Sequence, residues 1–301
     1  MKVIYGVNKI RKFRKPVVAL GVFDGVHRGH INILKGAVRK ARSIKGTSMV
    51  LTFWPHPQKE KNLYSLEHRL RLISEIGIDV CVVINFNQKF ADISAFDFVR
   101  NILFKKIHAH YVYVGRNFGF GKDAEGNYKT LIGLSKIYNF KVKAFKVINI
   151  KNKPVSSTYI RALIKKGKLA FARRLLTRPV SILGTVIKGI SLARKLGFPT
   201  ANINPHHEVI PPHGVYAVRV IFNDNKFNGI CYIGSRPTFL SKSENVEVYI
   251  FNFNKNIYGK NLEIQFIKKI RDEKKFGSAS VLVGQIKTDI LTAKKNFPSL
   301  N

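Results

Sequence analysis

Two rhythms of apolar and polar positions divide the chain. In its first part, short apolar runs alternate with segments whose apolar residues recur every three or four positions. Val17-Val18-Ala19-Leu20 predicts a strand, and Ile31, Ile33, Leu34, Val38 and Ala41 predict a helix over His30–Ile44. The alternation continues with strand Ser48–Phe53, helix Ser65–Ile76, strand Val80–Ile84, helix Ser94–Lys105, strand Tyr111–Val114, helix Tyr128–Tyr138 and strand Val142–Ile148. Such an order predicts an α/β fold, a Rossmann-like parallel sheet covered on both faces, with ligands gathered at the carboxyl ends of its strands. Two short helices follow, one entered through Val155–Arg161 and one over Lys168–Leu176, and lead to Arg178-Pro179. We place a domain boundary there, giving 1–178 and 179–301.

Beyond Val180 the period falls to two. Tyr216–Ile221, Gly229–Ile233, Val246–Phe253 and Leu262–Ile270 read as strands between Asn, Asp, Gly and Pro turns, and only Ser278–Asn296 reads as helix. The pattern predicts a small antiparallel β-barrel followed by a C-terminal helix.

A length of 301 residues accommodates both domains, and 45% hydrophobic with 23% charged residues describes an ordinary globular chain. The charge balance changes the picture, because 53 Lys+Arg against 17 Asp+Glu leave a formal charge of +36. Such a surface attracts anionic substrates and nucleic acid. The basic residues, among them Lys35, Lys40, Lys105, Lys141, Lys166 and Lys268, are nevertheless scattered, and the abundance of Lys, Asn, Ile and Phe matches AT-rich codon bias. We therefore expect small anionic substrates and no specific nucleic acid. Cys81 and Cys231, each inside an apolar run, exclude a disulfide framework and predict inert thiols in a reducing compartment. The apolar run after the basic start is cut short by Asp24. We read no export signal and no spanning segment, and expect a cytoplasmic protein without a membrane partner.

Candidate chemistry concentrates in a few loops. Gly21–His30 (GVFDGVHRGH) joins the first strand to the first helix. N–H groups at a helix start favour a phosphate, His27 and His30 can each donate to a phosphate oxygen, and Gly25 and Gly29 admit a nucleotide close to the backbone. His-x-Gly-His after a strand is a candidate for nucleotidyl transfer; alternatively, both histidines merely decorate a loop. Thr52–Pro57, with Trp54, Pro55 and His56, reads as a wall stiffened by two prolines and carrying an aromatic ring and a histidine, and Gly115–Lys122, with Asn117, suits a turn folded over a planar ring; alternatively, each is only a rigid loop. Ser157 and Thr158 read as helix caps, but Arg161 one turn on adds a guanidinium suited to a second phosphate site.

The second domain offers Gly184–Gly189 and then Leu196–Asn202, in which Thr200 and Asn202 present oxygens to a hard cation such as Mg²⁺. No P-loop spacing is present, so the stretch reads equally as a strand followed by a turn. Glu247 shares a strand face with Tyr249, opposite Val246, Val248 and Ile250. A Glu at a barrel mouth is a candidate general base; it reads equally as a solvated edge residue.

Together these motifs resemble the bacterial bifunctional riboflavin kinase/FMN adenylyltransferase family (FAD synthetases) over nearly the whole chain. The N-terminal likeness rests on Gly21–His30, Thr52–Pro57, Val114–Lys122 and Val155–Arg161. The C-terminal likeness rests on Gly184–Asn202, Pro212–Tyr216, Ile233–Phe239, Glu247, Leu262–Phe276 and Asp289. The resemblance implies that the barrel phosphorylates riboflavin to FMN with ATP, and that the N-terminal nucleotidyltransferase domain joins FMN to a second ATP, giving FAD and pyrophosphate. On matching positions, Gly21, Phe23, Asp24, His27, Gly29, His30, Asn117, Ser157, Thr158 and Arg161 would bind this second ATP, with His27, His30 and Arg161 acting on the reacting phosphates. Pro55, His56 and Asn117 would face the flavin. In the kinase, Gly184, Gly189, Thr200 and Asn202 would bind ATP, Thr200 and Asn202 would ligate Mg²⁺, Glu247 would be the base, and Arg271 would lie near the flavin. Lys188, Ala193, Tyr232 and Tyr249 depart from the family's usual His, Gly, Asn and His, all in the kinase half. Two other readings stay open: an adenylyltransferase with a weakened kinase barrel, and a basic nucleic-acid-binding protein.

Overall fold

Strand β2 (Val17–Leu20) is buried at all four positions, because it lies near the middle of a sheet covered on both faces. In the computed structural model, whose described residues are 1–57, 62–189, 196–206, 208–238 and 241–297, five further strands join it. These are β1 (Lys2–Tyr5), β3 (Ser48–Trp54), β4 (Val80–Asn85), β5 (Tyr111–Gly115) and β6 (Lys141–Phe145). Their order is β1-β4-β3-β2-β5-β6, and every pairing is parallel.

Successive residues serve opposite faces. Val18, Leu20, Met49, Leu51, Val82 and Val112 pack with Phe98, Val99, Ile102 and Leu103, while helix α1 (Arg28–Ser43) crosses β2, β3 and β5. Helix α2 (Leu66–Glu75) follows β3, and α3 (Gln88–Ala91), capped by the Asn87 side chain, follows β4. Helix α4 (Ala95–Asp97) runs on as a π-helical segment over Phe98–Lys106. Helix α5 (Tyr128–Ile137) starts from a capping box between Asn127 and Thr130.

Several elements differ from the sequence expectation. β1 was not foreseen; it is an edge strand, exposed at Lys2 and Tyr5, and so lacks the apolar run of a central strand. The strand expected over Val142–Ile148 ends at Phe145, and a small hairpin follows, β7 (Asn149–Ile150) with β8 (Lys153–Pro154). Helices α6 (Ser157–Lys165) and α7 (Leu169–Leu176) come next.

The second sheet is a closed antiparallel barrel of six strands in the order β10-β13-β12-β11-β14-β9. They are β9 (Val180–Ile187), β10 (Ala201–Asn204), β11 (Gly214–Phe222), β12 (Asn225–Thr238), β13 (Ser241–Ile250) and β14 (Asn261–Arg271). The sequence pattern named four of these; β9 and β10 correspond to the alternative reading of Gly184–Asn202 as strand and turn. Helix α8 (Ala279–Lys294) packs on the barrel wall through Ile286, Ile290 and Ala293 against Val215, Ala217 and Ile230. The chain divides into two compact units, Met1–Asn62 with Leu66–Tyr159, and Leu63–Ser65 with Ile160–Asn301.

Candidate functional site

In the first unit the chain leaves β2 for β3 on one side, and β5 pairs on the other. β2 is thus a topological switch point, where open α/β sheets form their ligand crevice. The loops after β2, β3 and β5 are the three that the sequence singled out.

The turn after β2 is tightly specified. Phe23 and Val26 take left-handed φ angles of 55° and 39°, and Gly25 takes 79°. Positive φ at a β-branched residue costs energy, on the order of 1–3 kcal/mol, and such backbone persists where surrounding contacts dictate it. Those contacts are visible. The Val22 carbonyl accepts from the Thr52 hydroxyl at 2.8 Å and from Arg69 Nη1 at 2.5 Å. The Asp24 carbonyl accepts from the Ser157 hydroxyl at 2.8 Å.

His27 caps α1, its Nδ1 accepting the His30 N–H at 3.4 Å. In a neutral ring this leaves the proton on Nε2, where it can donate. The His27 and His30 rings stack with centroids 3.6 Å apart, and Phe23 meets His30 edge-on at 5.3 Å. Cβ atoms at Gly21 and Gly29 would lie 3.2 Å from the Phe23 and His27 rings respectively, so these glycines make room for rings as well as for any ligand. The structure therefore brings Gly21, Phe23, Asp24, His27, Gly29 and His30 into one turn. Its helix is long enough to present free-ended N–H groups to an anion.

The neighbouring loops are less committed. Trp54-Pro55 is a cis peptide, with His56 half-buried and Pro55 exposed. Asn117 is exposed in the turn closed by Phe118 N–H to the Gly115 carbonyl at 3.0 Å. On α6, Ser156 caps the helix by accepting the Tyr159 N–H at 3.2 Å, Thr158 is exposed, and Arg161 is buried one turn beyond Ser157.

The second constellation lies on the barrel. Asn202 on β10 sits opposite Glu247 on β13, and Glu247 sits opposite Tyr232 on β12. The Thr200 hydroxyl donates to Glu247 Oε2 at 3.0 Å, and Asn245 Nδ2 donates to Oε1 at 2.8 Å. Both carboxylate oxygens are thus oriented. Val246, Val248 and Ile250 are buried, and Glu247 and Tyr249, both half-buried, share the other face of β13, with Tyr249 packed against the cluster that includes Ile286 and Ile290 of α8. Gly184 allows β9 and β10 to pair, since a Cβ there would lie 2.4 Å from Ile203 Cγ2. Gly189 lies against the Asn202 amide in the same way.

Arg271 is held by the buried Asp289, with Nε to Oδ1 and Oδ2 at 3.0 Å and Nη2 to Oδ2 at 2.9 Å, over the Phe276 ring. Gln285 on α8 donates to the same carboxylate at 2.9 Å. Tyr232 donates to Glu273 Oε1 at 2.5 Å, and His213 Nδ1 is 3.2 Å from Oε2. Burial, then the bond to Glu273, push the Tyr232 phenol well above its ordinary pKa. Lys188 is exposed and Tyr249 packs edge-on against Phe198 at 5.9 Å. Ala193 and Phe239 lie outside the described residues.

The hydroxyl of Thr200, the amide oxygen of Asn202 and the carboxylate of Glu247 are hard oxygen donors that fit Mg²⁺. Among the described residues no three His, Cys, Asp or Glu side chains gather as a metal site. A divalent ion here would share its coordination with substrate phosphates, the usual arrangement for Mg²⁺.

Sequence reasoning missed Arg69, and it gave Thr52, Asn245 and Glu273 no role of their own although each lies in or beside a stretch it quoted. Arg69 had a signal, a cation on the apolar stripe of α2 with Leu72 and Ile73. Asn245 had another, its place two residues before Glu247 on the same strand face.

Residues 9–159 match the family described as FAD synthetase, and residues 176–297 the family described as riboflavin kinase. A bifunctional riboflavin kinase/FMN adenylyltransferase of Buchnera aphidicola subsp. Schizaphis graminum is 37% identical, with 99% of each chain covered. That of Haemophilus influenzae is 36% identical over 99% of this chain and all of its own. A solved structure described as a macrolide-efflux protein from Streptococcus pneumoniae matches with a TM-score of 0.85 and 28% identity, covering 99% of this chain and 100% of that one. Among the described residues no helix is long and apolar enough to cross a membrane.

Proposed function

Because the chain belongs to the bifunctional riboflavin kinase/FMN adenylyltransferase family, we propose that its two halves act in sequence, 179–301 making FMN and 1–178 turning FMN into FAD. The enzyme uses ATP in both steps, with riboflavin and FMN as flavin substrates. The observation that carries the residue assignment is the Glu247 carboxylate, held by Thr200 and Asn245 beside Asn202.

In the kinase step the riboflavin 5′-hydroxyl oxygen bonds to the γ-phosphorus of ATP, the bond to the β,γ-bridging oxygen breaks, and ADP leaves. Glu247 takes the hydroxyl proton. Thr200 and Asn202 would hold Mg²⁺ with the nucleotide, and Mg²⁺ would supply neutralisation of phosphate charge. Gly184 and Gly189 shape this wall, and Arg271, fixed by Asp289, faces the flavin.

In the adenylyl step a phosphate oxygen of FMN bonds to the α-phosphorus of ATP as the bond to the α,β-bridging oxygen breaks, releasing pyrophosphate. The attacking oxygen is already anionic, so no base is needed and no covalent enzyme intermediate arises. His27 and His30 donate to charge on the α-phosphate, with Asn117, Thr158 and Arg161 holding the remaining phosphates. Asp24 and Ser157 set the turn, and Pro55 and His56 wall the flavin. Two buried thiols, Cys81 held neutral by burial that pushes its pKa up to about 12, suit a cytoplasmic enzyme. No nucleic-acid or membrane partner is proposed.

The test is the purified chain with riboflavin, ATP and Mg²⁺, its flavins separated over time. FMN should rise first and FAD follow. FAD formed only from supplied FMN would leave the adenylyltransferase alone, and oligonucleotide binding with a steep salt slope and no flavin turnover would replace the reading altogether.

A further inference from the structure

Among the described residues, Arg69 heads the fully buried side chains by volume, at 1% exposed. It projects from α2 beside Leu72 and Ile73, where an aliphatic chain would pack without desolvating a charge. Its guanidinium is divided between the turn after β2 and the end of β3. Nη1 donates to the Val22 carbonyl at 2.5 Å and Nη2 to the Phe53 carbonyl at 3.3 Å. The group lies 5.5 Å from the Trp54 ring centroid. Burial weakens its hold on the proton, and the buried Asp24 carboxylate offsets part of that.

Val22 immediately precedes the left-handed turn that carries His27 and His30, and Phe53 immediately precedes Trp54-Pro55-His56. We propose that Arg69 is a positioning residue for adenylyl transfer, fixing the separation of the phosphate turn from the flavin-side loop by holding one carbonyl of each. The inference rests on the adenylyltransferase reading of this unit. A planar fork is what the task needs, because it reaches two carbonyls along fixed directions; a lysine ammonium at the same depth is a point charge on a flexible stem. Asp24 then acts through Arg69 and keeps the buried charge in place.

The test compares the parent, Arg69→Lys and Arg69→Ala as full chains. Each is assayed for FAD formation from FMN, for FMN formation from riboflavin, and for thermal unfolding. Arg69→Lys should lower kcat for FAD formation roughly 10–10²-fold, the scale of a small misplacement of reacting groups. FMN formation and the unfolding transitions should stay parental. Added guanidinium ion should restore part of the kcat of Arg69→Ala and leave the parent unchanged. A parental kcat in Arg69→Lys overturns the inference, as does a loss of FAD formation that only follows unfolding and is not rescued by guanidinium. A parent that forms no FAD from FMN would instead sink the adenylyltransferase reading, so the two failures are distinguishable.

Discussion

A carboxylate held by two donors is an aimed one, and Glu247 accepts hydrogen bonds from Thr200 and Asn245. Phosphoryl transfer depends strongly on aim and charge neutralisation, so in the proposed role the position of Glu247 matters together with its acceptance of the proton. Glu247→Gln keeps the shape and removes proton acceptance. It should lower FMN formation by roughly 10²–10⁴, the usual worth of a general base, and spare FAD formation from supplied FMN. Parental FMN formation, with chemistry shown to limit the rate, would remove Glu247 as base. At this scale the sequence was legible wherever a rare residue type marked a position: a Glu in a chain of 17 acids, or two histidines three apart. It was not legible where an ordinary residue acts through the backbone. Arg69 is one of 53 basic residues, and only its depth, which strand order and helix packing decide, separates it from a surface cation.

Helix α1 begins on a histidine, which is a weak cap by composition, and the cap bond at 3.4 Å is long. A helix start built for stability alone would favour Asn, Asp or Ser. His27→Asn therefore separates the two roles. It should hold or raise the unfolding temperature while lowering FAD formation roughly 10²–10³-fold through loss of the imidazole donor, with FMN formation unchanged. An undiminished FAD rate would make His27 a cap only.

Strand β11 supplies the other element-scale test. Tyr216 is buried, and its hydroxyl donates to the Pro212 carbonyl at 2.5 Å; burial first, then nearby Cys231 and Asp272, raise its pKa above the ordinary 10.0. Below about pH 10 both folded and unfolded chains keep the phenol proton, so the stabilisation is fully present. As the pH climbs past that value the unfolded chain ionises first, and stability falls until the raised folded value is passed. Tyr216→Phe should flatten the alkaline fall of barrel stability by up to one proton, about 1.4 kcal/mol per pH unit. An identical slope would show that other groups govern it. Elements were legible where both faces of a strand are buried, as in β2 and β3, and obscured where one edge is free or a glycine crossing interrupts the run, as in β1 and β9.

Among the described residues, four of the acids, Asp24, Glu208, Glu263 and Asp289, are buried, against two buried arginines, Arg69 and Arg161, so the exposed charge is more one-sidedly basic than the composition suggests. That favours arrival of anionic substrates such as ATP and FMN by long-range attraction. One of these acids also bears on how the chain can be divided. Glu208 accepts the Ser65 N–H at 2.7 Å and the Leu183 N–H at 3.0 Å, and Leu63 and Tyr64 are each 1% exposed within the barrel unit. No periodicity could announce this, because three residues are shorter than any repeat. Separating 1–178 from 179–301 should still give one activity per piece, FAD from FMN in the first and FMN from riboflavin in the second. The isolated barrel should unfold at lower temperature than the barrel of the intact chain. It loses the Ser65 partner of Glu208 and the buried side chains that Leu63, Tyr64 and residues 160–178 contribute to the barrel unit, among them Ile160, Leu175 and Leu176, each buried apolar side chain worth about 1.5–3 kcal/mol. If neither piece folds, or the first phosphorylates riboflavin, the division is wrong. If the isolated barrel melts where the intact one does, Leu63–Ser65 and residues 160–178 do not stabilise it.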